Sequence, residues 1–301
     1  MTNPLQSIRI GTLAPGDGPN PAEYIRQILP HGFESFQITF WENCTKINLP
    51  KLADEIHHVL DDSGAVISAL GVYGNPLEND EKAAETRKSW QLLVENAHLF
   101  GTDIVAGFAG RLRDKPIDES MPRFREVFGK ITENAGAKNV RIAFENCAMD
   151  GDWRCGDWNI AHNPTAWEMM FEAVQLPNIG LEWEPCHQMF ALIDPMPQLR
   201  AWADRIFHVH GKCCTIRRGV IEKYGVFGSK QFAFHRTPGF GDCNWTDVIS
   251  DLRAAGFEGA IDIEGWHDPV YKGDLEMTGQ VHSLKYLKSC RGGDFVQNPI
   301  V

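Results

Sequence analysis

Four short segments decide the fold, because each runs from apolar residues to an acidic or imidazole side chain. They read RIAFE at Arg141–Glu145, LEWE at 181–184, FHVH at 207–210 and IDIE at 261–264. Successive side chains of a strand point to opposite faces, so the polar residues of one segment share a face. The pattern predicts strands that carry Glu182 with Glu184, His208 with His210, and Asp262 with Glu264 on one side.

The rest of the chain repeats a strand followed by a helix. Predicted strands cover residues 8–13, 33–40, 65–72, 103–107, 141–146, 179–184, 206–210 and 260–264. Helical patterns cover residues 49–61, 81–100, 119–138, 164–174, 197–204 and 245–255, and several begin with Pro or an Asx residue. Eight such units without a linker predict an α/β protein, a single (β/α)₈ TIM barrel over residues 1–301.

The main competing fold is an open, doubly wound sheet. That fold normally carries a G-x-G-x-x-G turn after its first strand for a dinucleotide. Here the first predicted strand leads into Gly11, Gly16 and Gly18, which have other spacings. The glycine pattern therefore favours the barrel.

Composition limits the function. The 301 residues have a formal net charge of −11, which disfavours a nucleic-acid partner, because such proteins gather basic residues into a positive patch. No signal sequence or long apolar run indicates export or a membrane span. The eight cysteines have no regular spacing and are interpreted as reduced thiols of a cytoplasmic protein.

In a barrel, the shared polar face points inward near the carboxyl ends of the strands, where barrel active sites lie. Burying several carboxylates together is costly without a cation. We therefore expect one divalent metal ion held by Glu145, Glu184, His210 and Glu264, with Mn²⁺ or Mg²⁺ favoured by the oxygen-rich ligands and Co²⁺ or Zn²⁺ as alternatives. Glu182, His208 and Asp262 would orient those ligands from a layer below.

At these residues the chain resembles the xylose-isomerase-like (β/α)₈-barrel superfamily of sugar phosphate isomerases and epimerases, which also includes endonuclease IV. The resemblance covers nearly the whole chain. It rests on FEN at 144–146, NIAHNP at 159–164, EPCH at 184–187 followed by IDP at 193–195, FHVHGK at 207–212, PGFGD at 238–242 and DIE at 262–264.

The resemblance implies that Glu145, Glu184, His210 and Glu264 hold the metal, and that His187 and Arg236 lie near substrate oxygens. It also implies that the first and last ligand glutamates move protons during epimerisation. Two positions depart from the family pattern, in which Asp usually occupies both positions: Glu184 and Cys213. The longer side chain of Glu184 would shift the metal or reduce the open volume, and Cys213 leaves out a carboxylate that would orient the ligands or the substrate.

A metal next to a sugar carbonyl favours isomerisation or epimerisation through an enediolate, with Glu145 and Glu264 as acid and base. His187 is a further catalytic candidate. His187, Arg236, Trp41 and Lys212 are the candidates for binding a small carbohydrate. The aromatic residues Trp41, Phe108, Trp153, Trp158 and Trp266 are each candidates to stack on a sugar ring or an aglycone.

A long insertion at residues 211–237 carries several basic and aromatic residues. It is long enough for a lid or for a contact between the subunits of a homo-oligomer. No phosphate-cradling glycine turn accompanies its basic residues, so an unphosphorylated substrate is favoured.

Two other functions remain open. The same site could make a lyase that eliminates a substituent from a 3-oxo-sugar or 3-oxo-glycoside, like the C-glycoside-cleaving and dehydratase members of the superfamily. Alternatively, Cys213 and Glu184 could mark a non-catalytic sugar-binding barrel.

Overall fold

The computed structural model describes residues 4–299, and a closed barrel of eight parallel strands forms its centre. The barrel strands are β1 (Ile8–Pro15), β2 (Ser35–Trp41), β3 (Val66–Tyr73), β4 (Ile104–Gly107), β5 (Arg141–Glu145), β6 (Ile179–Trp183), β7 (Ile206–Gly211) and β10 (Gly259–Ile263). β10 pairs with both β7 and β1, which closes the sheet. The predicted TIM barrel is confirmed, and each of the eight predicted strands lies within two residues of the observed bounds.

Helices follow the strands and surround the barrel. They are α1 (Pro21–Ile28), α2 (Leu49–Leu60), α3 (Glu81–Asn96), α4 (Ile117–Gly136), α5 (Pro164–Ala173), α6 (Pro185–Phe190), α7 (Pro195–Trp202), α8 (Arg218–Tyr224), α9 (Trp245–Ala254) and α10 (Glu276–Cys290). Asx side chains cap several of them: Asp80 Oδ1 accepts from Ala83 N at 2.8 Å, and Asn163 Oδ1 accepts from Ala166 N at 3.0 Å. No helix in the described range is long and apolar enough to cross a membrane.

The apolar face of the strands packs against the helices and so turns the polar face inward. Phe144 shows this on β5, where its ring contacts Phe124 and Phe128 of α4 at centroid distances of 5.5 and 4.7 Å. The next side chain, Glu145, must therefore point into the barrel. Trp183 is fully buried and has the same relation to Glu182 and Glu184.

Gly11 makes room for the polar layer inside the barrel. It lies opposite Asp262 in the β1–β10 register. A Cβ atom at this position would overlap the backbone oxygen of Ser35 and Oδ1 of Asp262. A side chain here would displace the inward-pointing carboxylate of Asp262.

The insertion after β7 contains structure that the sequence reading did not predict. β8 (Cys213–Ile216) and β9 (Ala233–Arg236) form an antiparallel pair outside the barrel, with α8 between them. At the tip, Phe227 is fully exposed.

The prediction that all eight cysteines are reduced is wrong for Cys213 and Cys243, which form a disulfide. They are 30 residues apart, but β8 and the turn after β9 bring their Cα atoms to 5.7 Å. That separation is in the normal range for a disulfide and could not be deduced from spacing along the chain. The other six cysteines are free.

Candidate metal centre and its cavity

The strands open at their carboxyl ends into a cavity of about 1030 Å³. Glu145, His210, Lys212 and Glu264 line it, and all four are buried side chains. Aromatic residues line the remainder, including Trp41. The cavity therefore combines charged groups at the barrel end with an apolar surround, as small-molecule sites commonly do.

The four predicted metal ligands lie together in what we call the quartet: Glu145, Glu184, His210 and Glu264. Their donor atoms are all within 4.8 Å of one another. His210 Nδ1 lies 3.8 Å from Glu145 Oε1 and 3.5 Å from Glu264 Oε2. The quartet lies at or directly after the carboxyl ends of four different strands, so its geometry depends on closure of the barrel.

Two asparagines fix the backbone that carries the quartet. Asn146 Nδ2 donates to the carbonyl of Glu184 at 2.8 Å, and Asn146 Oδ1 accepts from the amide of Glu184 at 2.7 Å. Asn159 Nδ2 donates to the carbonyls of Glu145 and Cys147, both at 2.8 Å. These bonds tie the ends of β5 and β6 together, because backbone groups beyond a strand need other partners.

Gln37 on β2 orients His210. Its Oε1 lies 2.7 Å from His210 Nε2, while its Nε2 donates to Glu182 Oε1 at 2.6 Å and to the Tyr73 hydroxyl at 2.8 Å. Since the Gln37 amide nitrogen is used in donating, its oxygen accepts from His210 Nε2–H. The other imidazole nitrogen, Nδ1, then faces the three glutamates of the quartet.

The layer below the quartet is a chain of buried polar groups centred on His208. His208 Nδ1 lies 3.0 Å from Glu182 Oε1, and Nε2 lies 2.8 Å from Asp262 Oδ2. Burial lowers the pKa of His208, but its hydrogen bonds to the two carboxylates outweigh burial and raise it. Ser35 and Ser68 also donate to Asp262, so both carboxylates are stabilised by several donors.

Several buried atoms of the quartet have no hydrogen-bond partner: Oε2 of Glu184, Oε2 of Glu264 and Nδ1 of His210. Such atoms are costly to bury. Three carboxylates and one imidazole nitrogen facing one another fit a divalent cation, and oxygen-rich donors suit Mn²⁺ or Mg²⁺. Among the described residues, two further three-residue groups share Glu145 or His210 with this cluster.

Lys212 is the cation beside the quartet. Its Nζ lies 2.8 Å from Glu264 Oε1 and 3.9 Å from Glu184 Oε1. Burial raises the pKa of Glu264, but the charge of Lys212 and the hydrogen bonds from His210 and His267 together outweigh it and hold that pKa well below its usual range. Burial dominates at Glu145 and raises its pKa. The two glutamates at the edges of the quartet therefore differ in proton affinity.

The other predicted substrate-binding residues lie in different places. His187, in the first turn of α6, lines the cavity, and its Nε2 lies 2.5 Å from Glu184 Oε1. Trp41 lines the cavity with 53% of its surface exposed. Arg236 is not a lining residue, and its Nε donates to Asp268 Oδ2 at 3.0 Å. The structure therefore brings His187, Trp41 and Lys212 to the cavity and places Arg236 behind it.

Sequence reasoning missed Gln37, Tyr73, His235 and His267. Gln37 and Tyr73 support the quartet from β2 and β3, whereas His235 and His267 line the cavity. A polar Gln37 between Phe36 and Ile38 was a usable signal, because alternation places it on the inner face. His235 and His267 gave no signal, because they come from the insertion and from the loop after β10.

The family model of xylose isomerase-like TIM barrels matches residues 25–290. The chain belongs to this family. The strand order and the closure of the barrel agree with the resemblance derived from the sequence.

Two relatives are identical to this chain at less than a quarter of the aligned positions. It is 23% identical over 274 residues to the uncharacterized protein YfiH of Bacillus subtilis, covering 77% of this chain and 84% of YfiH. It is 22% identical over 226 residues to an inosose dehydratase of Clostridium tetani, covering 71% of each chain.

Three solved structures have the same fold at low identity. A xylose isomerase domain protein of Planctomyces limnophilus has a TM-score of 0.72 and 14% identity, covering 94% of this chain and 97% of that one. The Escherichia coli 3-keto-D-glucoside 4-epimerase YcjR has a TM-score of 0.68 and 15% identity, covering 94% of this chain and 100% of that one. An L-ribulose 3-epimerase has a TM-score of 0.68 and 16% identity, covering 94% of this chain and 96% of that one.

Proposed function

We propose that the protein is a divalent-metal-dependent sugar isomerase or epimerase that moves a proton on the carbon next to a carbonyl. The observation that carries the proposal is the quartet at the end of an apolar cavity. A divalent ion held by Glu145, Glu184, His210 and Glu264 would supply positive charge that polarises a carbonyl oxygen and stabilises negative charge on it. The similarity to sugar epimerases of the same fold supports this choice.

The three glutamates of the quartet differ in their access to the cavity, and this difference assigns them two roles. Glu145 and Glu264 line the cavity and are 5% and 6% exposed, whereas Glu184 is fully buried and does not line it. A side chain that exchanges protons with substrate must reach it, so Glu145 and Glu264 are the proposed acid and base. Glu184 is left as a ligand alone, oriented by Asn146.

The proposed reaction needs one proton to leave carbon and one to return. One glutamate takes the proton next to the carbonyl, and the electron pair of that C–H bond moves to form the enediolate. The other glutamate returns a proton to the opposite face, which inverts the carbon. Lys212 keeps Glu264 ionised between turnovers, since it lies 2.8 Å from that carboxylate.

A lyase is the second candidate, favoured by the similarity to inosose dehydratase. The same proton removal would be followed by loss of a substituent from the next carbon. The substituent leaves with the electron pair of its bond to that carbon and receives a proton. The glutamate that took the first proton would return it to the departing group, and His187, which lines the cavity, is the proposed hydrogen-bond partner of that group.

Incubation with ketoses and 3-oxo-glycosides in D₂O tests both candidates by NMR spectroscopy. Deuterium in an isomer supports epimerisation or isomerisation, and a released aglycone or an unsaturated product supports elimination. Glu145→Gln and Glu264→Gln should each lower the rate by about 10²–10⁴-fold, the usual contribution of general acid–base catalysis. Glu133→Gln, at an exposed position of α4, is the matched control. Absence of both product and exchange across the panel would remove the proposal.

A further inference from the structure

Two rows of rings lead outward from the quartet along the cavity. The first wall is Tyr73, Phe108 and Trp41, and it begins 6.4 Å from the ring of His210. Its rings follow one another at centroid distances of 5.2 Å (Tyr73 to Phe108) and 6.4 Å (Phe108 to Trp41). These spacings are those of edge-to-face aromatic contacts, so the wall is continuous.

The second wall is Phe190, His235, His267 and Trp266. Phe190 and His235 lie 4.4 Å apart, His235 and His267 lie 5.4 Å apart, and His267 and Trp266 lie 5.6 Å apart. His267 Nε2 reaches to 3.1 Å from Glu264 Oε1, so this wall also begins at the quartet. Trp266 ends it with 44% of its surface exposed.

The barrel order places the two walls across the cavity from each other. The first wall belongs to β2, β3 and the residue after β4, while the second belongs to α6, β9 and the loop after β10. All seven residues line the same cavity. Between them lies a slot that runs from the quartet to the two exposed tryptophans.

The size of the cavity exceeds what one sugar ring needs. Its volume of about 1030 Å³ is just above the range of about 300–1,000 Å³ that is typical for sites that hold drug-sized ligands. A single sugar ring positioned at the quartet would leave the space beside Trp41 and Trp266 to a second group. Flat rings are the groups that aromatic walls recognise best.

The charges of the lining residues disfavour an anionic ligand. Among the described residues that line the cavity, Lys212 is the sole lysine or arginine, and it is paired with Glu264. Asp17, Asp150, Asp152 and Glu276 also line it. Burial lowers the pKa of His235 to about 3 and that of His162 to about 4, so these two lining residues are uncharged at neutral pH. Phosphate sites usually offer arginine, lysine or a backbone cradle.

We propose that the cavity takes an uncharged glycoside, with the sugar over the quartet and a flat aromatic aglycone between the two walls. This inference rests on the proposed function for the sugar position, and it adds the class of substrate. A free monosaccharide or a sugar phosphate would leave both walls without a partner.

Measurements of ligand affinity test this inference independently of the proposed reaction. Calorimetry on the Mn²⁺-loaded protein compares phenyl and methyl glycosides of glucose, galactose and xylose, with glucose 6-phosphate as the anionic probe. In at least one pair the phenyl glycoside should bind about tenfold more tightly, the ratio expected from one or two favourable ring contacts. Glucose 6-phosphate should bind more weakly than methyl glucoside. Equal affinities in every pair, or no binding, would overturn the inference.

Single substitutions test whether the two walls cause the preference for phenyl glycosides. Trp41→Ala and Trp266→Ala should each reduce the phenyl-to-methyl ratio several-fold, while Phe227→Ala, at a fully exposed position outside the cavity, should keep it. An unchanged ratio in both tryptophan variants, with folding verified by circular dichroism, would refute the walls as the aglycone site. Phenyl preference without deuterium exchange would defeat the proposed reaction alone, and exchange on monosaccharides without phenyl preference would defeat this inference alone.

Discussion

Replacing Gln37 with leucine should weaken metal binding although Gln37 is not a proposed ligand. Its Oε1 accepts from His210 Nε2 at 2.7 Å and so directs Nδ1 towards the three glutamates. Leucine has a similar volume but no acceptor, so His210 Nε2 would keep only the longer contact to Glu182 Oε1, at 3.2 Å. Loss of such an orienting bond typically reduces metal affinity by about 10–100-fold, which corresponds to roughly 1.4–2.7 kcal/mol.

The same substitution should also destabilise the fold. Gln37 donates to Glu182 at 2.6 Å and to the Tyr73 hydroxyl at 2.8 Å, and both bonds would be lost with the His210 bond. At about 1 kcal/mol for a neutral bond and 1.5–3 kcal/mol for one to a charged group, loss of the three bonds should lower the free energy of unfolding by about 4 kcal/mol. The protein would still fold if its stability is that of an ordinary domain.

Competition with a fluorescent chelator gives the Mn²⁺ affinity, and urea denaturation of the metal-free protein gives the stability. Gln198→Leu is the matched control, because Gln198 is also buried and donates to a neutral partner, Gln188, at 2.9 Å, away from the quartet. The control should lose stability but keep Mn²⁺ affinity. If Gln37→Leu binds Mn²⁺ as tightly as the control does, Gln37 does not orient a metal ligand.

Two further predictions concern the disulfide and a buried ion pair. Alkylation of the unfolded protein without reductant should label the six free cysteines and leave Cys213 and Cys243 unlabelled; labelling of all eight would refute the disulfide. Cys243→Ser should lower the free energy of unfolding by about 3.6 kcal/mol, the loss expected for a closed loop of this length. Glu34→Gln should cost about 3 kcal/mol at pH 7, because it leaves buried Arg291 without its carboxylate partner. Burial raises the pKa of Glu34, but hydrogen bonds from Arg291 and the Ile10 amide outweigh burial and lower that pKa. The ion pair therefore stabilises the fold fully at pH values above the unfolded-state pKa. This stabilisation is lost as the pH falls through the lower, folded-state pKa. Urea denaturation should therefore show the difference from wild type shrinking below about pH 4, and a difference independent of pH would contradict this assignment.

The barrel could be predicted because its signal is local. Each of the ligand-bearing strands is recognisable in the sequence by its alternation of apolar and polar side chains. Phe144 or Trp183, on the helix-facing side, determines which way the neighbouring glutamates point. Four strand-end ligands then converge because parallel strands end at the same mouth of a barrel. The quartet followed from that geometry before any distance was known.

What could not be predicted depends on pairs distant in sequence. Gln37 meets His210 across 173 residues, and Cys213 meets Cys243 only because β8 and β9 fold the insertion back. Arg236 was expected near substrate, but Asp268, from the loop after β10, holds its Nε. Neither the sequence near Arg236 nor its spacing from the ligands indicated that partner.

Metal content tests the central claim most directly. After loading with Mn²⁺ and removal of free ion by gel filtration, elemental analysis should find about one Mn²⁺ per chain, as expected for a single site of three carboxylates and one imidazole. His210→Ala should retain far less, whereas His58→Ala, at an exposed position on α2, should retain as much as wild type. Equal Mn²⁺ content in the wild type and in His210→Ala would contradict the account, because the quartet would then not be the metal site.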